Sequence, residues 1–147
     1  MFKVILVATD GTTQSNQAVK TAATLAAEMR ATLIVFHASR TYQSFYYPDG
    51  VALAWPPKGQ FLKESSAGAD KLLTSASALA KKLGVNAKTA HSYSDSPAEA
   101  IIAAAKKSKA DLIVMASHGR KGLDKLLLGS ETQRVLARSK LPVLVVR

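Results

Sequence analysis

The chain has 147 residues, no cysteine, and 20 lysine and arginine residues against 10 aspartate and glutamate residues, which gives a formal net charge of +10. This length fits one domain over residues 1–147, since ~150 residues bury about 70% of their unfolded surface. The hydrophobic content of 48% excludes a disordered or fibrous chain, and the lack of cysteine excludes disulfides and cysteine-based zinc sites. No apolar run approaches the ~20 residues of a membrane span, and the first residues are not typical of a secretory signal. We expect a cytoplasmic protein without a membrane partner.

Five short apolar runs are typical of strands in a parallel sheet that is covered on both faces. They cover residues 3–8, 32–37, 111–115 and 142–146, with a weaker run at 86–92. Alanine-rich segments of helical length lie between them, at 14–29, 62–83, 97–108 and 130–139. This alternation predicts an α/β fold, a single-domain, doubly wound and Rossmann-like open sheet of five strands with helices on both faces.

Two local signals mark helix ends. Ser96, Pro97 and Glu99 suit the N-cap, N1 and N3 positions of a helix, where the serine and the glutamate would form a capping box. Gly84 is expected to end the preceding helix.

One connection, residues 39–60, is long for an α/β fold. Six of the nine aromatic residues fall within it or just beyond; they are Tyr42, Phe45, Tyr46, Tyr47, Trp55 and Phe61. Long connections are usually functional or mobile. Two interpretations stay open: a packed flap or dimer contact, and a lid over a ligand.

Positive charge is concentrated in the second half of the chain. Residues 1–75 hold seven basic and five acidic side chains, whereas residues 76–147 hold thirteen and five, a net of +2 against +8. We therefore expect an anion site in the second half. The basic residues are scattered over several predicted helix ends without interleaved aromatic residues, so nucleic acid is not an expected partner.

Ligands of an open parallel sheet bind beyond the carboxyl ends of the strands. The first strand ends in Ala8-Thr9-Asp10-Gly11-Thr12, and no GxGxxG or GxxxxGK[ST] motif occurs in the chain. Asp10 would accept hydrogen bonds from ribose hydroxyls or would cap the first helix and its turn through Thr12 and Thr13. Both interpretations stay open.

The segment after the fourth apolar run is rich in glycine. Gly119 and Gly122 would let the backbone approach a ligand closely, with the charges of Arg120 and Lys121 beside them. Gly129-Ser130 lies at a predicted helix start, where free N–H groups and the helix dipole attract anions. A phosphate site and an ordinary turn with a helix cap both fit these features.

No catalytic or metal-binding set is evident. His37 and His118 are lone histidines near strand ends, and a structural hydrogen bond is the expected role of each. The adjacent pair Ser117-His118 lacks the arrangement of nucleophile, base and orienting group. We therefore expect no enzyme, and at most slow, incidental ATP hydrolysis.

The chain resembles the universal stress protein family. The resemblance rests on Ala116-x-x-Gly119, nine residues and Gly129-Ser130, followed by the closing run 141–147, and the opening run 5–11 and His37 also match. ATP-binding members carry Gly-x-x-Gly at the first element, where this chain has Ala116. The resemblance implies the strand order 3-2-1-4-5 and a homodimer that pairs through the last strand, Pro142–Val146.

The resemblance also implies an adenine nucleotide, ATP or AMP, accompanied by Mg²⁺. Asp10 would contact the ribose, Ala38 the adenine through its backbone, and Ser130 the phosphates. The full set that the resemblance implies is Ala8, Thr9, Asp10, Gly11, Thr12, Ala38, Ala116, Ser117, His118, Gly119, Arg120, Lys121, Gly122, Gly129, Ser130, Glu131 and Thr132. The methyl group of Ala116 and the charge of Glu131 count against tight binding.

Two functions follow. The first is a stress-response regulatory protein that binds the nucleotide as a homodimer. The second is a nucleotide-independent protein that dimerises or binds a partner through the aromatic segment 42–61.

Overall fold

The computed structural model describes residues 1–43, 45–46, 52–53, 56–118 and 127–147. Its elements alternate between strands and helices. In chain order they are β1 (Val4–Ala8), α1 (Thr13–Met29), β2 (Thr32–Ser39), β3 (Phe45–Tyr46), β4 (Ala52–Leu53), α2 (Lys58–Lys82), β5 (Lys88–Tyr93), α3 (Pro97–Lys107), β6 (Leu112–Ala116), α4 (Ser130–Arg138) and β7 (Val143–Val146).

Five strands form one parallel sheet in the order β5-β2-β1-β6-β7. Counted along the chain within this sheet the order is 3-2-1-4-5, so the predicted fold is confirmed. Ile5 of β1 is paired with Leu33 of β2 on one side and with Leu112 of β6 on the other. The strand order reverses at β1, which places the switch point of the fold beside this strand and β6.

Alternate residues of the strands supply two apolar cores, one on each face of the sheet. Val7 and Val35 pack with helices α1 and α2 on the first face. Leu6, Phe36 and Ile113 pack with α3 and α4 on the second. Because both faces are covered, the central strands β1 and β6 are apolar along their whole length, which is why they were predictable as continuous runs. The outer strand β5 carries polar residues and gave the weaker pattern.

The long connection contains a short antiparallel pair of strands that the sequence did not predict, β3 with β4. The Tyr42 hydroxyl donates a hydrogen bond to the Pro56 carbonyl at 3.0 Å, and the rings of Tyr42 and Phe61 lie 5.4 Å apart. Tyr47 and Trp55 lie outside the described residues. The roles of this segment as a flap, contact or lid stay predictions.

The predicted capping box at the start of α3 is wrong. Ser96 is the N-cap and Pro97 is the first helical residue, as expected, but the Ser96 side chain makes no capping hydrogen bond. The Ser96 N–H instead donates to Ser94 Oγ at 3.1 Å. Gly84 follows α2 with a φ of 81°, as expected for a helix end. Within the described ranges, no helix combines the length and hydropathy that a membrane span requires.

Candidate functional site

The loop after β1 is held in shape by its own side chains. The Gly11 N–H donates to Thr9 Oγ1 at 3.2 Å, and this hydroxyl lies 3.0 Å from Ser15 Oγ. Asp10 Oδ1 accepts from the Thr12 N–H at 3.0 Å and from its hydroxyl at 2.6 Å. Thr12 Oγ1 then accepts from the Ser15 N–H at 3.2 Å and so caps α1. Asp10 therefore supports the turn and the cap, while its ribose contact stays a prediction.

Gly11 is required by both conformation and space. Its φ of 79° lies in the left-handed region, and an added Cβ would lie 3.1 Å from Leu72 Cδ1 of α2. Sequence reasoning predicted the glycine but missed Ser15 and Leu72. The available signal was the spacing of a helix cap, in which the N-cap side chain of Thr12 bonds to the N–H three residues later, that of Ser15.

The end of β2 directs backbone groups toward the loop after β1. The Phe36 carbonyl accepts from the Thr9 N–H, and the Ser39 carbonyl accepts from the Ser94 N–H on the opposite side. Because backbone groups alternate along a strand, the N–H and C=O of Ala38 point toward the β1 side, past the last residue of β1. Within the described part of the chain, no backbone group beyond β1 pairs with them.

His37 makes the structural hydrogen bond that the sequence predicted. Its Nδ1 lies 2.8 Å from the Thr9 carbonyl. A carbonyl only accepts, so Nδ1 carries the proton in this contact. The ring therefore joins the end of β2 to the loop after β1.

The end of β6 is tied to the start of α4. The Gly129 N–H donates to the Ser117 carbonyl at 2.7 Å, and Thr132 Oγ1 donates to the Ala116 carbonyl at 3.0 Å. A Cβ on Gly129 would lie 3.1 Å from the Ser117 oxygen. Thr132 is buried, so its hydroxyl serves this junction. The first turn of α4 is thereby held against the carboxyl end of β6.

The side chains at the end of β6 point into different surroundings. The methyl group of Ala116 belongs to the apolar core that packs against α1. Ser117 Oγ lies 3.0 Å from His118 Nδ1. His118 Nε2 is buried and has no hydrogen-bond partner among the described residues. A buried polar atom without a partner favours a ligand or water at this point.

Glu131 directs its carboxylate away from the first turn of its own helix. Its Oε2 accepts from the Ala98 N–H at 2.8 Å, and its Oε1 lies 2.7 Å from Arg134 Nη1. Glu131 therefore caps α3, the task that the sequence had assigned to Ser96 and Glu99. Its charge is compensated at that position.

The start of α4 offers backbone donors. Gly129 is the N-cap and supplies no capping side chain, and Ser130 is exposed. The first N–H groups of a helix lack partners within the helix, and the dipole makes this end positive. This helix start therefore suits an anion.

The predicted residues of the described ranges converge at the carboxyl ends of β2, β1 and β6, which are neighbours in the sheet. Those ends carry Ala38, the loop 8–12, and residues 116–118 with 129–132 behind them. Gly119, Arg120, Lys121 and Gly122 lie outside the described residues.

The charge surplus of the second half does not lie at this site within the described residues. We define the carboxyl edge as the described positions within three residues of the last residue of a sheet strand or the first residue of a helix. This edge holds four acidic and three basic side chains. The acidic ones are Asp10, Asp95, Glu99 and Glu131, and the basic ones are Arg40, Lys58 and Arg147. The described site therefore attracts anions through backbone donors and not through surplus side-chain charge.

Comparison with known proteins gives a consistent result. A model of the universal stress protein family matches residues 1–147. The "universal stress protein in QAH/OAS sulfhydrylase 3′ region" of Thermus aquaticus is 39% identical over 147 residues, all of both chains. A solved universal stress protein in complex with cAMP is similar at a TM-score of 0.69 and 28% identity, over 99% of this chain and 97% of that one. Protein MJ0577 of Methanocaldococcus jannaschii is similar at a TM-score of 0.81 and 25% identity, over 99% and 96%.

Proposed function

Because the chain belongs to the universal stress protein family, we propose that it is a stress-response regulatory protein that binds an adenine nucleotide. The binding site is the convergence of the β2, β1 and β6 carboxyl ends with the start of α4. This convergence is the observation that carries the proposal, since it joins backbone donors to the switch point of an open sheet. The cAMP complex of a relative that is 28% identical supports the ligand class.

Adenine fits the backbone groups of Ala38. An adenine edge presents a donor and an acceptor side by side, and the N–H and C=O of one strand residue complement such a pair. These groups point past the end of β1, where no described backbone group pairs with them. The ribose would then lie over the loop 9–12.

The phosphates fit the first turn of α4. Its backbone N–H groups and the Ser130 hydroxyl supply donors, and the dipole supplies partial positive charge. Glu131 does not oppose this arrangement because its carboxylate bonds to Ala98 and Arg134. His118 Nε2 is buried without a described partner and is a further group that a nucleotide would satisfy.

ATP or AMP is the proposed nucleotide. No group of three metal-ligating side chains occurs in the described ranges, so Mg²⁺ would enter with the phosphates of ATP. Turnover would be slow, because Asp10 is engaged in the turn and paired carboxylates are absent from the described site. We therefore assign the protein a binding role and not an enzymatic one.

The direct test is calorimetric titration with ATP, AMP and cAMP, each with and without Mg²⁺. We expect saturable heat and a rise in melting temperature. Ser130→Ala should weaken ATP binding by about 10-fold to 150-fold, since a hydrogen bond to a charged group contributes about 1.5–3 kcal/mol. Ser66→Ala, a change of the same kind at an exposed position of α2, should leave the affinity unchanged.

No heat and no thermal shift at millimolar nucleotide would disprove the proposal and favour a nucleotide-independent partner-binding protein. Ala116→Gly tests the departure from the glycine motif. The Ala116 methyl packs in the core, so its removal should lower stability more than it changes affinity. A large gain in ATP affinity would show that the methyl obstructs the site.

A further inference from the structure

The edge of the sheet opposite the nucleotide site is strongly cationic. In a parallel sheet with helical connections, the strands start and the helices end at the same edge. We call this the amino edge and define it as all positions within three residues of the first residue of a sheet strand or the last residue of a helix. Basic residues that are far apart in the chain therefore meet on one surface.

Each of the five sheet strands has a cation at its first residue or within the three residues before it. In the spatial order β5-β2-β1-β6-β7 these are Lys88, Arg30, Lys3, Lys109 and Lys140. Neighbouring strands are about 4.8 Å apart, so the row extends about 19 Å. The last turn of α2 adds Lys81 and Lys82 on one face of the row, and the last turn of α3 adds Lys106 and Lys107 on the other.

The positive charge of the amino edge is largely uncompensated. The edge holds ten basic residues, the nine above and Arg138, against two acidic ones, Glu28 and Asp111, a net of +8. Arg138 pairs with Glu99, but none of the other nine forms an ion pair with a described carboxylate. Asp111 bonds to the backbone N–H groups of Lys3 and Val4. The ends of four helices contribute about −0.5 charge each, roughly −2 in all, and leave most of the surplus.

All nine cations are exposed in the fold. Arg30 and Lys109 occupy left-handed backbone positions, each with a φ of 55°, and they are the non-glycine residues with positive φ among those described. Glycine or asparagine is the favoured residue at such a helix end. A cation is thus present at two positions where the backbone favours a different residue.

A groove of mixed polar and apolar lining opens at the β5 corner of the amino edge. Its volume is about 280 Å³, and Ser77, Lys81 and Asn86 are among its lining residues. Ser77 Oγ is buried and has no hydrogen-bond partner among the described residues. The groove therefore places the exposed Asn86 side chain beside the cationic row.

Nucleic acid is not an expected partner from the sequence, because these basic residues are scattered along the chain, but the parallel sheet brings them together at one edge. We propose that the amino edge binds the phosphate backbone of double-stranded nucleic acid without reading its sequence. A B-DNA duplex carries one negative charge per about 1.7 Å of axis, so a row of ~19 Å faces several phosphates at once. Eight of the nine unpaired cations are lysines, which act as point charges toward phosphate and lack the bidentate geometry with which arginine reads guanine.

Duplex is the expected form because the cationic row contains no aromatic side chain. Single strands are bound mainly by stacking bases on aromatic rings. An anionic membrane is the less favoured surface, since membrane attachment needs a continuous apolar face beside the charge. Among the described residues, four large hydrophobic side chains are exposed at this edge, Met1, Leu83, Leu136 and Leu144. They belong to four different parts of the fold, before β1, after α2, in α4 and in β7, and not to one amphipathic helix.

The test is fluorescence anisotropy of the full chain with a labelled random-sequence DNA duplex of 25 base pairs, in 50 to 200 mM NaCl. If about five phosphates are contacted, the logarithm of the association constant should fall with the logarithm of salt at a slope of about −4.5. The affinity should then fall about 500-fold over this range. The same strand without its complement should bind more weakly.

Two triple variants that each lose three positive charges test whether the duplex binds at the amino edge. K106Q/K107Q/K109Q should make the salt slope shallower by about 3, close to one unit per lost phosphate contact. R40Q/K58Q/K63Q removes three charges from β2's carboxyl end and the first turns of α2 and should leave the slope unchanged. Circular dichroism checks that both variants fold, and K81Q/K82Q/K88Q is a second amino-edge variant should the first be unstable.

Three outcomes would overturn the proposal. The first is no duplex binding at 50 mM NaCl, and the second is equal loss in the two kinds of variant, which would indicate net charge alone. The third is binding to vesicles that contain phosphatidylserine without binding to duplex, which would assign the surface to a membrane. Nucleotide binding is measured separately and is unaffected by any of these outcomes.

Discussion

His91 of β5 lies in a cluster of polar side chains between the sheet and α2. Its ring is stacked on that of His37 at 6.0 Å, its Nε2 lies 2.7 Å from Ser39 Oγ, and the Tyr93 ring meets its face edge-on at 4.9 Å. Burial and the neighbouring His37 lower the pKa of His91 below its usual value of 6.5, while Asp70 opposes this shift. The folded state therefore disfavours protonated His91.

This shift predicts a loss of stability in mild acid. Below pH 6.5 the unfolded state binds more protons at this residue than the folded state, so the free energy of unfolding falls as pH decreases from 6.5 through the lowered pKa. Urea denaturation between pH 7.5 and 5 measures the slope. His91→Gln should flatten it, and Asp70→Asn should steepen it, because Asp70 is the group that raises the pKa of His91. Parallel slopes in all three proteins would contradict the assignment.

Residue types and their place in the chain predicted some roles but not others. The structural hydrogen bond of His37 was predictable, since an isolated histidine at a strand end has few other tasks. The cap of α3 was not, because Glu131 lies 33 positions from the Ala98 N–H that it accepts from. A capping box is recognised within four residues of sequence, so a cap contributed by another helix gives no local signal.

At the scale of elements, the sequence predicted every described helix and all five strands of the main sheet, but it missed the start of α2 and the two strands of two residues each. The helices α1, α3 and α4 begin and end within one residue of their predicted bounds. Helix α2 begins at Lys58, four residues before its predicted start. Its N-cap is Pro57 and no side chain caps it, so no capping signal marks this position in the sequence. The strands β3 and β4 contain two residues each, too few for an alternating pattern.

The same substitution, glycine to alanine, should have opposite effects on stability at two positions. Gly68 lies inside α2 and an added Cβ would meet nothing within 4 Å. Gly68→Ala should stabilise the protein by about 1 kcal/mol through helix propensity. Gly129 is the N-cap of α4, and its Cβ would crowd the Ser117 carbonyl. Gly129→Ala should destabilise it by about 1 kcal/mol.

Thermal unfolding measures both variants, and shifts of about 2–4 °C in opposite directions are expected for a chain of this size. A neutral Gly129→Ala would show that the junction between α4 and β6 accommodates a Cβ, and would contradict the close packing of Gly129 on the Ser117 carbonyl.

At the scale of the whole molecule, the distribution of charge was the feature that the sequence located only in part. The surplus does lie in the second half of the chain, but the described lysines there end α2 and α3, begin β5 and precede β6 and β7. These positions share one edge only after the strands align in parallel. Residues scattered in sequence thus form one surface, and the carboxyl edge keeps a site built mainly from backbone groups.

The last strand predicts the oligomeric state. β7 is an outer strand of the sheet, and Leu144 on it is 36% exposed. An exposed apolar edge strand favours pairing with another chain, and pairing with a second copy of itself forms a closed two-fold dimer. Analytical ultracentrifugation at micromolar concentration should therefore give twice the mass of one chain.

Leu144→Glu should give the monomeric mass, since it replaces an apolar side chain of β7 with a charge of the same sign in each copy at the proposed interface. Leu83→Glu is the matched control: it is a similarly exposed leucine, 42% accessible, after α2 and next to β5 at the other side of the sheet. It should leave the dimer intact. A monomeric wild-type chain, or equal dissociation by both variants, would show that β7 does not form the interface.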